Sequence, residues 1–265
     1  MFLRNNLQVI NQSKFLKNGY YKFSLNKKIF QSCLKILKDK IKKKQKNLNK
    51  IKLDEIHQVL KADKLNNFRM RIFKDLNSSK KFKNLIFLSS KNYIELAVGN
   101  ELCCSDLNLS IQFPNDKKSL LEMHTDFFSG ESLFQVNLWI PFVPVKKTQS
   151  MFIMSPKKSI EVLRLIKNDK KINFNIIQKK FKKDIRWIDF NLGEAMIFSP
   201  NCLHGNVVNE ESKTRWSINI RYKNIFSPYT NYSNEKRIGS FYNLYSPKII
   251  TKFNTMYDFK SILND

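Results

Sequence analysis

Along the first third of the chain, apolar residues recur at helical spacing. Between residues 28 and 62, Leu34, Leu37, Ile41, Leu48 and Ile51 return at intervals of three, four and seven, with lysines at many of the positions between. That spacing predicts a helix with one buried stripe. A short second helix is expected in "DEIHQVLKAD", which opens at Asp54; its His57 reads as a surface or core-edge residue without chemistry. From residue 83 the texture changes to short apolar or alternating runs: "NLIFLSS", "LNLSIQF", "LFQVNLWIPFVPV", "SMFIMS", "IRWIDF", "EAMIFS", "HGNVV" and "RWSINIRYKNIF". Their length and their Val, Ile, Phe and Trp content predict strands. One helical run interrupts them, "PKKSIEVLRLIKND", with Pro156 at its start. The pattern predicts a mainly β fold with flanking α. A helical N-terminal layer (about 1–82) would pack outside a jelly-roll core (about 83–230), followed by a tail (231–265), all within one domain spanning 1–265.

Composition narrows the class. Twenty-two Phe and 42% hydrophobic residues supply core material, while only 6 Gly and 7 Pro argue against low-complexity linkers. The net charge of +26 invites a nucleic-acid reading. Lys far exceeds Arg, however, as AT-rich codon usage would produce. The run "KIKKKQK" fits the solvated face of a helix, without the interleaved aromatics that a nucleic-acid face calls for. A nucleic-acid partner is therefore disfavoured, and a small, anionic substrate is the milder expectation from the charge. The N-terminus lacks an apolar signal-peptide core, and no window approaches the ~18 apolar residues of a membrane span. Cys33, Cys103, Cys104 and Cys202 have no metal-ligand spacing, which suits reduced thiols in a cytoplasmic protein.

The chemistry concentrates in residues that are scarce here. The chain has three histidines, and one of them stands in "HTD", 124–126. In extended backbone, residues i and i+2 share a face, so His124 and Asp126 would stand side by side with Thr125 turned away. His204, in "CLHGNVV", could add a second imidazole from another strand. Two His and one carboxylate form the facial triad of non-heme Fe(II), which leaves coordination positions open. Eleven residues beyond His204, Arg215 opens the strand "RWSINIRY". Alternation puts Arg215, Ser217, Asn219 and Arg221 on one face and Trp216, Ile218, Ile220 and Tyr222 on the other. A guanidinium is the best geometric match for the far carboxylate of a keto acid; the competing reading is a solvent-exposed strand face.

These motifs resemble the Fe(II)/2-oxoglutarate-dependent dioxygenases of the phytanoyl-CoA dioxygenase-like superfamily. The resemblance covers roughly residues 100–230 and rests on "HTD", "LHG" (203–205), Arg215, the Trp-containing "FQVNLWIPF" and "NLGEAMIFSPNCLHG". The phrases "NLSIQFP" and "TRWSINIRYKNIFSPY" look closest to a branch found in bacterial surface-carbohydrate biosynthesis clusters. The fold so implied is a double-stranded β-helix, a cupin-like barrel. The resemblance implies Fe(II) held by His124, Asp126 and His204, with 2-oxoglutarate and O2 as co-substrates and Arg215 pairing with the C5 carboxylate. Asp126 is present, whereas related halogenases lack the acid, so hydroxylation or another oxidation is expected. Arg221 is a second candidate for the keto-acid clamp. Asn108 and Gln112 match amides four apart that approach the co-substrate in related enzymes, and an exposed polar face is the competing reading. "TQSMF" replaces the usual "NG" turn. Trp139 is expected in the core, Cys202 as inert packing, and Phe127 and Phe128 as the start of a substrate-pocket wall. A sugar or carrier-linked sugar is the expected substrate. A cupin-like binding protein and a basic nucleic-acid-binding module are the non-catalytic alternatives.

Overall fold

The computed structural model describes residues 11–44, 51–169, 173–228, 236, 238 and 241–245. Its helices are α1 (Gln12–Asn18), α2 (Lys27–Lys44), α3 (Leu65–Asn77), α4 (Lys80–Val98), α5 (Pro156–Asn168) and α6 (Phe174–Lys180). Its strands are β1 (Tyr20–Ser24), β2 (Leu102–Ser105), β3 (Asn108–Gln112), β4 (Gln135–Pro141), β5 (Phe152–Ile153), β6 (Arg186–Trp187), β7 (Glu194–Phe198), β8 (His204–Gly205), β9 (Arg215–Asn224) and β10 (Tyr242–Tyr245).

Helix α2 buries Phe30, Cys33, Leu34, Leu37 and Ile41 along one stripe and leaves most of its lysines outward. It is described to Lys44, and Ile51 and Lys52 are outside any helix, so the expected helix does not run through to the second one. Leu48 lies outside the described residues, and "LDEIHQ" makes a tight 3-10 turn (Leu53–Gln58). The run "NLIFLSS" is not a strand. It is the middle of α4, which Ser79 caps at its start and which buries Phe82, Ile86, Phe87, Tyr93 and Ile94. Read over seven residues the run is uniformly apolar; over nineteen its buried positions recur at three-, four- and seven-residue steps, which only a helix places on one face. The first strand of the barrel region is therefore β2, and β1 is a strand inside the expected helical layer. At α5 Pro156 occupies the first turn, as the sequence predicts, and the Ser155 side chain accepts the Lys158 amide.

Among the described residues, every strand-to-strand ladder is antiparallel. The larger sheet runs β1-β7-β4-β9-β2-β10, with β3 also paired to β9. The smaller runs β6-β5-β8, and beyond β8 a single antiparallel bridge joins His204 to His124. Strand β9 is the hub. Its apolar face, Trp216, Ile218, Ile220 and Tyr222, is buried under α3 and α4, with Phe68 edge-on to Trp216 and Phe87 against Tyr222. One continuous core joins α2, α3 and α4 to this sheet, and a second one packs α5 and α6 on the small sheet around Phe152, Val162 and Phe181. The other face of β9 borders a cavity of about 1000 Å³ lying between the two sheets. All four cysteines are free and buried; burial pushes the Cys33, Cys104 and Cys202 thiols up to about 12 and Cys103 to about 11. They are packing groups. Among the described residues, no helix is long and apolar enough to cross a membrane.

Candidate metal centre

His124, Asp126 and His204 converge at the cavity, their nearest donor atoms all within 4.8 Å of one another. The pairing of His124 with Asp126 comes from Thr125, which is extended (φ −113°, ψ 143°) and buried. Asp126 itself is not in a strand but starts a 3-10 turn, Asp126–Ser129. One extended residue is enough to preserve the i, i+2 alternation. His204 arrives from β8, and the backbones of His124 and His204 exchange two hydrogen bonds of 3.0 Å. Gly205 permits this approach: a Cβ there would lie 2.8 Å from the Leu121 carbonyl oxygen and 3.0 Å from that of Glu122.

Both imidazoles are oriented by backbone. His124 Nδ1 meets the Glu122 carbonyl at 2.7 Å, and His204 Nδ1 meets the Cys202 carbonyl at 2.9 Å. A carbonyl can only accept, so each Nδ1 carries a proton and Nε2 is the ring nitrogen left to bind a metal. The Nε2 atoms lie 3.4 and 3.9 Å from the same oxygen, Asp126 Oδ1. The other carboxylate oxygen accepts from the Asn137 amide, and Arg221 Nη2 stands 3.3 Å from Oδ1. Phe198 packs edge-on to the His204 ring at 4.8 Å.

The electrostatics match ligands awaiting a cation. Burial raises the Asp126 carboxyl, but His124, His204, Arg221 and Asn137 more than offset this and hold it well below the usual range. Burial lowers His204 to about 4, so the ring is neutral. For His124 burial acts downward, and its contact with Asp126 outweighs it, a pull that a metal on the same oxygen would replace. An ionised carboxylate and two imidazoles fixed as Nε2 donors, with their Nδ1–H groups held by outer partners, are what a divalent transition metal requires.

Arg215 also lines the cavity, only 3% exposed. Nη1 donates to the Gln149 carbonyl at 3.4 Å and Nη2 to Ser110 Oγ at 3.1 Å, while Nε has no partner. Among the described residues, no carboxylate pairs with it. Desolvation alone lowers its pKa, to about 10, and it stays cationic at neutral pH. The turn that replaces "NG" (3-10, Lys147–Gln149, φ of Lys147 +45°) thus supplies the carbonyl that steadies this guanidinium.

The other expected residues divide. Asn108 and Ser110 line the cavity with Ser217, Asn219 and Arg221. Gln112, although opposite Arg215 in the β3–β9 ladder, turns away to donate to the Val207 carbonyl at 2.7 Å and is not part of the cavity wall. Arg221 approaches Asp126 and Glu131 instead of waiting for a ligand. Phe127 and Phe128 do not line the cavity, because the 3-10 turn carries them off it, and Phe128 is exposed. Trp139 is buried against Phe190 and also touches the cavity. His57 bonds Thr214 Oγ1 at 2.7 Å, bracing the start of β9. Sequence reasoning missed Asn137 and Glu131; the alternation of Gln135, Asn137 and Trp139 in "QVNLWIP" was the available signal for Asn137.

No family profile and no curated protein sequence matches the chain. Solved structures do. The chain superposes on the non-heme monooxygenase ThoJ in its nickel complex with a TM-score of 0.55, at 13% identity over 95% of both chains. EctD from S. alaskensis in its apoform gives 0.55 at 10% identity, covering 94% of this chain and 90% of that one. The non-heme α-ketoglutarate-dependent carbocyclase SnoK from nogalamycin biosynthesis gives 0.52 at 11% identity, covering 89% and 88%. A second EctD structure, holding 2-oxoglutarate and 5-hydroxyectoine, gives 0.50 at 10% identity over 91% and 85%. At such identities the likeness is one of fold, and it is the fold of non-heme oxygenases.

Proposed function

We propose that the chain is an Fe(II)- and 2-oxoglutarate-dependent dioxygenase that hydroxylates or otherwise oxidises a small polar substrate. One observation carries the reading: Arg215, a buried cation without a carboxylate partner among the described residues, lines the same cavity as three oriented metal donors. Burying an unpaired guanidinium is costly, and a dicarboxylate entering the cavity would supply the missing anion. His124, Asp126 and His204 would hold the metal, and Arg215 the distal carboxylate of the co-substrate. When bound, iron supplies O2 activation coupled to oxidative decarboxylation of 2-oxoglutarate to succinate and CO2.

The remaining work falls to the chain's own residues. The two backbone carbonyls hold a proton on Nδ1 of both histidines and aim Nε2 inward. Asn137 fixes Asp126 by its far oxygen, leaving Oδ1 toward the histidines. Phe198 and Trp139 keep one wall of the cavity apolar. Beside them in the same sheet, Asn108, Ser110, Ser217 and Asn219 present amide and hydroxyl groups, and Asn219 Oδ1 has no hydrogen-bond partner. Such a wall suits a hydroxyl-bearing molecule, and we take a sugar or carrier-linked sugar as the substrate class. The fold of ThoJ, EctD and SnoK, together with this cavity, supports the reading.

The test is succinate release. Anaerobically reconstituted protein, given Fe(II), 2-oxoglutarate and air, is expected to form succinate at a rate raised by the right sugar, and His124→Ala is expected to lose that activity at least about 100-fold. Equal turnover without added iron would sink the reading.

A further inference from the structure

Behind the metal donors lies a buried polar chain to which the reaction assigns no role. The turn after Asp126 closes on Gly130, in the left-handed conformation (φ +83°). It delivers Glu131 beneath the carboxylate it follows, with Glu131 N–H donating to the Asp126 carbonyl at 3.3 Å. The Glu131 side chain is fully buried. Its Oε1 lies 3.3 Å from Arg221 Nε and 3.1 Å from Lys236 Nζ, ion pairs without hydrogen-bond geometry. Its Oε2 accepts from the Tyr242 hydroxyl at 2.5 Å, and that hydroxyl also lies 2.7 Å from Gln135 Oε1. Arg221 then reaches Asp126 Oδ1 at 3.3 Å. Arg221 and Asn137 face each other across the β4–β9 ladder, so Asp126 is gripped by two directly opposed side chains.

We infer that Glu131 is a positioning residue for the metal centre, acting through Arg221. Two effects combine. Glu131 sets a negative charge beside the Nε edge of the guanidinium, which favours the placement that brings Nη2 to Asp126 Oδ1 and so bears on where that oxygen sits relative to the two Nε2 atoms. It also offsets the charge of Arg221. Without Glu131, the guanidinium would pair with Asp126 alone and compete with a divalent cation for the same oxygen in a medium of low dielectric. Tyr242, on the other oxygen, and Lys236, on the same oxygen as Arg221, complete the surroundings of Glu131, so β10, at the sheet edge, contributes to the candidate metal site without touching it. The inference rests on the reading of His124, Asp126 and His204 as metal ligands.

The test uses Co(II) alone, titrated into the full chain and followed by visible absorption and calorimetry. Four proteins are compared: wild type, Glu131→Gln, Arg221→Gln and the double variant, each shown to unfold cooperatively. Glu131→Gln is expected to weaken Co(II) binding about 10-fold, whereas in the Arg221→Gln background the same change alters affinity by no more than about 2-fold. A residue that serves only the general fold would not show this dependence on Arg221. Should Glu131→Gln fail to fold, Glu131→Asp takes its place, and by withdrawing the charge one methylene it is expected to weaken binding at least about 3-fold. Affinity within about 2-fold of wild type in the folded Glu131 variant overturns the inference, as does an equal loss with and without Arg221. Wild-type protein that binds no Co(II) overturns the metal reading and this inference together; binding that is indifferent to Glu131 overturns the inference alone.

Discussion

Arg215 is stable where it is only at a cost. Its guanidinium has surrendered water for a carbonyl, a hydroxyl and one unpartnered N–H. Replacing an unpaired buried charge with an apolar group of similar length is neutral or stabilising. Arg215→Met is therefore expected to leave the ligand-free chain as stable as the parent or up to about 2 kcal/mol more stable, raising Tm by roughly 2–4 °C per kcal/mol, while stabilisation by 2-oxoglutarate disappears. Thermal unfolding with and without the co-substrate measures both. A large loss of stability in the ligand-free variant would show that Arg215 is structural. At this scale the sequence was informative because the donors are rare residue types at fixed spacing: "HTD", "LHG" and an arginine eleven further on. It was silent on Glu131 and Arg221 as a pair, since 90 residues separate them and only the β4–β9 ladder and the Asp126 turn bring them together. It misjudged Gln112, because alternation gives the face of a side chain but not its hydrogen-bond partner, and a neighbouring carbonyl captured this one.

At the level of elements, the candidate metal centre depends on how closely the segment 121–124 can lie against β8. Gly205 sets that distance by having no side chain. Gly205→Ala would drive a methyl group into two backbone carbonyls, neither of which can rotate away. It is expected to cost about 2–3 kcal/mol of stability and to reduce divalent-metal affinity at least 10-fold by parting the His124 and His204 backbones; chemical denaturation and metal titration report the two effects. Metal affinity unchanged alongside lowered stability would show that the bridge is not what spaces the ligands. Strands β3, β4, β7 and β9 were legible because each alternates or runs apolar between turns. The two-residue strands β5, β6 and β8 showed only as longer apolar runs. Helix α4 was misread because its strand-like window hides a helical period, and β10 lies in a tail whose sequence carries no pattern that announces pairing with β2.

For the whole molecule, the excess of 26 positive charges is the dominant property. Only 22 acidic residues are available, and several are spent locally, as in Lys22–Glu194 and Lys213–Glu55. The remaining lysines repel one another across the surface, and salt screens that repulsion. Raising NaCl from about 20 to 300 mM is expected to increase Tm by a few degrees; a fall would show that attractive surface pairs outweigh the repulsion. The general architecture, an antiparallel sheet system with helices against it, followed from periodicity. The cavity between the sheets did not, since its walls come from α3, β3, β4, β7, β8 and β9, and only the closed fold brings them together.

One cavity is proposed to hold a metal on His124, Asp126 and His204 and a dicarboxylate on Arg215. Anaerobic calorimetry of 2-oxoglutarate into the Fe(II)-loaded chain tests it most directly. One site with a Kd in the micromolar range is expected, absent without metal and lost in Arg215→Met. No binding by the Fe(II)-loaded chain, or binding that survives Arg215→Met undiminished, would contradict it.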